Sequence, residues 1–339
     1  MEMKVKEITG GLYRITLPMP FRLRYVNVFA ALDDEGGFTL IDTGPNMTGV
    51  LPALEAALEG IGASIEACRR ILVTHYHADH CGLAGLIAGR SGARIFLSAI
   101  ESLTIRSLAD DGWRIGRLRR FGQENGLDAA TLETVARAFL AFRTATSPFT
   151  PAGILADGQT LTVGGRFMQV IPTPGHSRGH ISLYLPKERL LIAGDHVLPH
   201  ITPNLSPDPL DPGFRPLKSF LDSLKRVGEL PVEMVYPAHG DPFPDLGGRI
   251  AQMQEHHRER KGLARAALAA GPKTAEGVSR FIFGAALPPF DRLLALNESF
   301  VHLIELEAES EVNRETRDGL CYFAISSVQT GPLSRSQDR

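Results

Sequence analysis

VTHYHADHCGLAG, residues 73–85, places His75, His77, Asp79 and His80 within six consecutive positions. The chain has only 11 histidines in 339 residues, so three in so short a stretch call for a reason. Imidazoles this close repel when charged, and burying them neutral without partners is costly. A cation shared among them removes both penalties. The apolar run RRILVT, residues 69–74, reads as a short buried strand, so the cluster follows a strand's carboxyl end. Open α/β sheets commonly place their chemistry at that end.

Three further segments repeat the layout of apolar strand, small-residue turn and ligand side chain. They carry His176 in IPTPGHSRGH, Asp195 in LLIAGDHVL and His239 in VEMVYPAHGDP. With the opening cluster they make seven potential metal ligands, five imidazoles and two carboxylates. Nitrogen and oxygen donors without thiolate suit zinc, and manganese or iron(II) also fit. Cys81 follows a ligand directly and reads as packing. Gly44, Gly82, Gly175, Gly194 and Gly240 stand where turns bring backbone close to the ligands.

Around this frame the chain alternates between strands and helices. Residues 1–42 read as four short strands, and MTGVLPALEAALEGIG as an amphipathic helix ending in Gly. Residues 99–145 turn helical and read as an insertion between strands. Strands return in GQTLTVGGRFMQVIPTP, ISLYLP and RLLIAGD, and a Pro-rich loop leads to the helix LKSFLDSLKRV. From about residue 250 the character changes to helices followed by the strand GLCYFAI. The boundary falls there, giving a larger domain over 1–250 and a smaller unit over 251–328, with 329–339 expected as a disordered tail.

Composition limits the classes open to the chain. Hydrophobic residues at 43% and charged residues at 22% describe an ordinary globular protein with a sizeable core. A net charge of −2 gives no general attraction to nucleic acid or anionic membrane. Three cysteines without paired spacing argue against a disulfide framework. The N-terminus shows no apolar signal region and no run reaches transmembrane length, so a cytoplasmic location is expected.

The ordered set His-x-His-x-Asp-His, then His, Asp and His, resembles the metallo-β-lactamase superfamily over roughly residues 5–250. The resemblance implies an αββα sandwich with two metals at one edge. His75, His77 and His176 would hold the first, and Asp79, His80 and His239 the second. Asp195 would bridge them, as in glyoxalase II-like thioesterases, lactonases and phosphodiesterases; lactamases of the superfamily typically lack that aspartate. Asp42, in FTLIDTG, matches a family aspartate and is expected to accept a hydrogen bond from a ligand imidazole. The helices and strand after residue 255 are similar to the winged-helix domain of the LACTB2-like or glyoxalase-like branch.

These features point to a hydrolase with two Zn2+ per chain, in which a metal-bridging hydroxide attacks the substrate. Asp79 and Asp195 are its central carboxylates. No Gly-rich phosphate loop or G-x-S-x-G elbow offers another route. An acyl thioester or ester is the expected substrate, because the insertion and the loop 199–216 should roof the metals with few polar groups. Phe121, Phe139, Phe142, Phe149, Leu205 and Phe214 could make that roof apolar, although packing of helix faces explains most of them equally well. The alternatives are a phosphodiesterase or endoribonuclease of the same superfamily, and a lactonase. From Glu255 to Arg339, 11 Lys+Arg stand against 12 Asp+Glu, a net of −1, which argues against nucleic acid as partner. A non-catalytic binding protein is disfavoured because the ligand set is complete.

Overall fold

A computed structural model describes residues 4–20 and 23–326, so the expected tail lies outside the described residues. The first sheet runs β1 (Lys4–Thr9), β2 (Leu12–Pro18), β3 (Tyr25–Leu32), β4 (Phe38–Ile41), β5 (Cys68–Leu72), β6 (Arg94–Leu97) and β7 (Gly153–Ile154), in that order. Its first three pairings are antiparallel and its last three parallel. The second sheet has the order β12 (Met234–Pro237), β11 (Leu190–Gly194), β10 (Ile181–Leu185), β9 (Arg166–Pro172) and β8 (Thr160–Val163). Only β11 and β12 are parallel in it.

The two sheets pack face to face. Leu12, Phe29, Ile41 and Leu72 of the first meet Met168, Val170, Leu183 and Ile192 of the second in one buried layer. Helices cover both outer faces, which is why β3 and β10 are buried on both sides instead of alternating. On the first sheet lie α1 (Val50–Glu59) and α3 (Ala84–Ser91), the latter preceded by the single turn α2 (Ala78–Cys81). Val50, Leu54, Ala57 and Leu58 of α1 recur at helical spacing and are its buried face. On the second sheet lies α7 (Pro216–Gly228), with Pro216 pre-set for the first turn and Leu217, Phe220, Leu224 and Val227 buried. The result is the expected four-layer αββα sandwich.

The insertion consists of α4 (Ala99–Leu108), α5 (Asp111–Glu124) and α6 (Ala129–Ala141). The C-terminal region is α8 (Leu246–Ala267), α9 (Ala275–Phe283), α10 (Pro289–Ala308) and the hairpin β13 (Val312–Arg317) with β14 (Leu320–Ile325). Residue 250 lies inside α8, not at a break in the chain. The first half of α8 buries Ile250 and Met253 against the second sheet, and its second half buries Ala264 and Ala267 in a separate cluster. That cluster joins Leu132 and Val135 of the insertion to Val278, Leu296, Leu303 and Phe323 of the C-terminal region. Arg292 ties the same elements together, donating to Asp128, Thr131 and Glu276.

This shared core corrects the expected pocket. Phe121 and Phe139 pack against the C-terminal helices, Phe149 against the first sheet, and Leu205 is fully buried on the second. Phe142 is exposed and Phe214 half-buried. No helix among the described residues is long and apolar enough to cross a membrane. Phe323 is fully buried between both regions, edge-on to Phe300. Phe323→Ala is expected to destabilise the chain by about 3–5 kcal/mol in denaturant unfolding. A loss below about 1 kcal/mol would show that the C-terminal core is not part of the cooperative unit.

Candidate metal centre

Every predicted ligand follows the carboxyl end of a strand: the opening cluster after β5, His176 after β9, Asp195 after β11 and His239 after β12. Tight turns bring them together. At Gly194, φ is +55° and an added Cβ would stand 2.6 Å from His180 Nε2, so only glycine fits between β11 and Asp195. At Gly82 the Cβ would meet three backbone atoms within 2.6 Å, where the cluster's short helix presses on the chain at Asn46 and Ala145.

The structure brings all seven side chains into two adjoining groups. His77 Nδ1 lies 2.9 Å from both His75 Nε2 and His176 Nε2. In the other group, His239 Nε2 is 3.3 Å from Asp79 Oδ2, and His80 Nε2 is 3.7 Å from the same oxygen. Asp195 sits between the groups: Oδ1 is 3.5 Å from His80 Nε2 and 3.4 Å from His239 Nε2, while Oδ2 is 3.4 Å from His176 Nε2.

Hydrogen bonds on the far side of each ring decide what these atoms present. His176 Nδ1 donates to the Asn204 carbonyl and His239 Nδ1 to the Tyr25 carbonyl, each at 2.9 Å. His80 Nδ1 donates to Asp42 Oδ2 at 2.8 Å. The Thr74 hydroxyl donates to that same carboxylate, and so accepts from His75 Nδ1 at 3.1 Å. Four of the five imidazoles therefore turn Nε2 inward. His77 can donate at most one proton toward its two neighbours, so the first group cannot satisfy itself by hydrogen bonding. In the second, His80 Nε2, His239 Nε2 and Asp195 Oδ1 are buried without a hydrogen-bond partner.

A divalent cation answers both deficits. Ligands of a tetrahedral zinc at 2.0–2.1 Å are about 3.3–3.4 Å apart, close to the separations found here. Protonation behaviour agrees. Burial and the neighbouring imidazoles hold His75 well below the usual histidine range, and burial, with His176 adding to it, takes His77 down to about 3. Burial also disfavours charge on His239, but Asp195 and Asp79 outweigh it and lift its pKa to about 10. A cation bound there has to displace that proton.

Asp42 is buried at the end of β4, with φ of +57°. That left-handed backbone is unfavourable for a non-glycine residue. Its two oxygens serve Thr74 N at 2.8 Å as well as Thr74 Oγ1 and His80. His180 lies one layer out: its Nε2 accepts from Asp195 N at 3.0 Å, and its Nδ1 is 2.7 Å from Thr173 Oγ1. Cys81 is fully buried and donates to the Tyr76 carbonyl; burial raises its thiol far above the ordinary range. His196 is buried against Phe220, His200 is exposed, and His257 pairs with His302 among the C-terminal helices.

Two contacts were not anticipated from sequence. The Asn204 carbonyl that accepts from His176 sits on the Pro-rich loop, and that loop is tied to α10 by Asn204 Nδ2 to Leu294 O and Asn297 Nδ2 to Ser206 Oγ. The buried carboxylate of Glu101, from the insertion, accepts hydrogen bonds from both ligand loops. A Pro-rich loop gives no sequence signal for a carbonyl's target. Glu101 has the signature of a helix cap.

Asp42→Asn would present an amide NH2 or a single acceptor to three donors. Metal affinity is expected to fall about 10–100-fold with the fold retained, measured by chelator competition and circular dichroism. Wild-type affinity would leave Asp42 as an ordinary strand-end residue. Loading the metal-free protein at pH 7 is also expected to release protons, because His239 is protonated below its raised pKa and must lose that proton to bind. Titration calorimetry in buffers of different ionisation enthalpy measures this, and a buffer-independent heat would contradict it.

Comparisons with known proteins agree with this geometry. The sequence profile of the metallo-β-lactamase superfamily matches residues 22–239. The probable metallo-hydrolase YqjP of Bacillus subtilis (strain 168) is 27% identical over 320 residues, spanning 93% of this chain and 98% of that protein. The atrochrysone carboxyl ACP thioesterase of Passalora fulva is 26% identical, over 87% of this chain and 74% of its own. Among solved structures, the metallo-β-lactamase family protein TTHA1429 of Thermus thermophilus superposes with a TM-score of 0.81 at 30% identity, covering 94% of this chain and 100% of that one. Sheet order, ligand order and sequence match converge, and the chain belongs to the metallo-β-lactamase superfamily, as a hydrolase with a His/Asp centre for divalent metal.

Proposed function

We propose that this hydrolase holds two zinc ions, one among His75, His77 and His176 and one among Asp79, His80 and His239, and that it cleaves acyl thioesters or esters. The observation that carries the two-ion reading is Asp195, whose Oδ1 faces the second group and whose Oδ2 faces the first. A divalent pair supplies Lewis acidity at a carbonyl and brings the pKa of water towards ~7. Asp195 keeps the two groups in register and balances part of their charge. Asp79, with 22% of its side chain exposed against 9% for Asp195, is the carboxylate ligand nearer to solvent. Burial opposes its ionisation, but His80 and His239 more than compensate and hold it below the usual carboxylate range. It is therefore ionised at neutral pH and offers its oxygens to a cation.

Two things support acyl transfer to water over other hydrolyses. One curated relative is named a thioesterase. The insertion and the loop after Asp195 also carry exposed apolar side chains, Leu103, Leu140 and Ile201, a composition compatible with an acyl substrate. Elemental analysis is expected to return two equivalents of metal per chain, and Asp195→Ala to lose turnover by orders of magnitude. A panel of an acyl-CoA, S-lactoylglutathione, a lactone and bis-p-nitrophenyl phosphate is expected to show its highest kcat/KM on a thioester. A clear preference for the phosphodiester would overturn the acyl assignment, and at most one equivalent of metal would overturn the two-ion reading.

A further inference from the structure

Glu101 stands in the first turn of α4, three residues after the N-cap Ser98. Ser-x-x-Glu at a helix start is the capping-box pattern, in which the glutamate reaches back to the N-cap backbone N–H. Ser98 plays its part, its Oγ accepting from Glu101 N at 3.2 Å. The Glu101 carboxylate reaches elsewhere. Oε1 accepts from Ser177 Oγ at 2.6 Å and from Gly179 N at 2.9 Å, and Oε2 accepts from Tyr76 N at 3.0 Å. Tyr76 lies between His75 and His77, and Ser177 directly follows His176.

The side chain is fully buried. Burying a carboxylate that is held by N–H and O–H donors alone is expensive, and an apolar residue of similar size would avoid that expense. The contact is also closely built: a Cβ on Gly179 would lie 2.6 Å from Ser98 Oγ and 2.8 Å from Glu101 Oε1. Ser98 Oγ in turn donates to the Gly179 carbonyl at 2.7 Å. The start of α4 thus grips both loops that carry the three-histidine group, and none of these hydrogen bonds goes to Asp79, His80 or His239.

We propose that Glu101 is the positioning residue of the three-histidine group, fixing the spacing of the His75–His77 loop against the His176 loop so that their ring nitrogens converge on one cation. The inference rests on the two-ion reading above. It makes the helical insertion a structural part of one metal site and not of the other. Loss of Glu101 should therefore split the behaviour of the two cations, an effect that general destabilisation of the fold does not produce.

The test uses full-length wild type, Glu101→Ala, Glu101→Gln and Ser177→Ala, each stripped of metal and titrated with Zn2+ against a chromophoric chelator, and with Co2+ by absorption spectroscopy. Glu101→Ala is expected to weaken one equivalent by about 10–100-fold while the other keeps its affinity. Its Co2+ spectrum should lose the bands of one site. Glu101→Gln, which can still accept from Ser177 and Gly179 but opposes an NH2 to Tyr76 N–H, should fall between. Ser177→Ala removes one donor, keeps the carboxylate, and should weaken the same equivalent several-fold; it serves as the measurement should Glu101→Ala fail to fold. Equal weakening of both cations, or wild-type affinity for both in Glu101→Ala or in Ser177→Ala, would overturn the proposal. A wild-type count below two bears on the two-ion reading alone, whereas an unchanged variant-to-wild-type affinity ratio bears on Glu101 alone.

Discussion

Everything at this sheet edge answers to one constraint: ring nitrogens and carboxylate oxygens must face one another at close range. His75, His77 and His176 direct ring nitrogens at one another from about 3 Å, and the oxygens of Asp195 lie within 3.5 Å of three imidazoles. Left to themselves such groups would rotate, protonate or separate. They are held by what lies behind them. Backbone carbonyls of Tyr25 and Asn204 take the outer protons of His239 and His176, and Asp42 takes that of His80. A carbonyl cannot be protonated at neutral pH, so it fixes a tautomer without adding another titrating group. The strained backbone of Asp42 is understandable in these terms, since one carboxylate there serves three donors at once.

The same constraint explains why the clustered side chains were legible from sequence and their supports were not. A ligand has to be His or Asp, and a turn after a buried strand can be recognised locally, so His75 to His80, His176, Asp195 and His239 stood out. A backbone carbonyl carries no sequence signal, and Tyr25 and Asn204 are 214 and 28 residues from the rings they accept from. Glu101 was hidden differently. Its local pattern has a sufficient explanation in helix capping, and nothing nearby shows that the carboxylate reaches Ser177, 76 residues away.

The fold divides along similar lines. Strands buried on both faces, such as β3 and β10, announce themselves as apolar runs. The strand β13 does not: VNRETR is polar, five of its six residues are exposed, and only its pairing with β14 makes it a strand. Helix faces show a third kind of ambiguity. Phe121 and Phe139 could be seen to be apolar, but periodicity says that a face is buried and not against what. Their partners proved to be the C-terminal helices, because insertion and C-terminal region are each too thin to bury a face alone.

That shared core bears on the centre itself. The insertion reaches the metal-facing loops through the first turn of α4, and α10 reaches them through the Pro-rich loop, which Arg215 also anchors by a two-pronged pair with Glu305. Each element touches one side of the same group: α4 holds the backbones on either side of the ligands, and the loop on α10 holds the outer nitrogen of His176. Because α6 and α10 are packed into one cluster, the insertion and the helix that supports the loop share one core. Leu132 and Leu303 belong to it, far from the centre. The sandwich supplies the strand ends on which the clustered side chains sit, and the elements added to it supply the contacts at Tyr76, His176, Ser177 and Gly179.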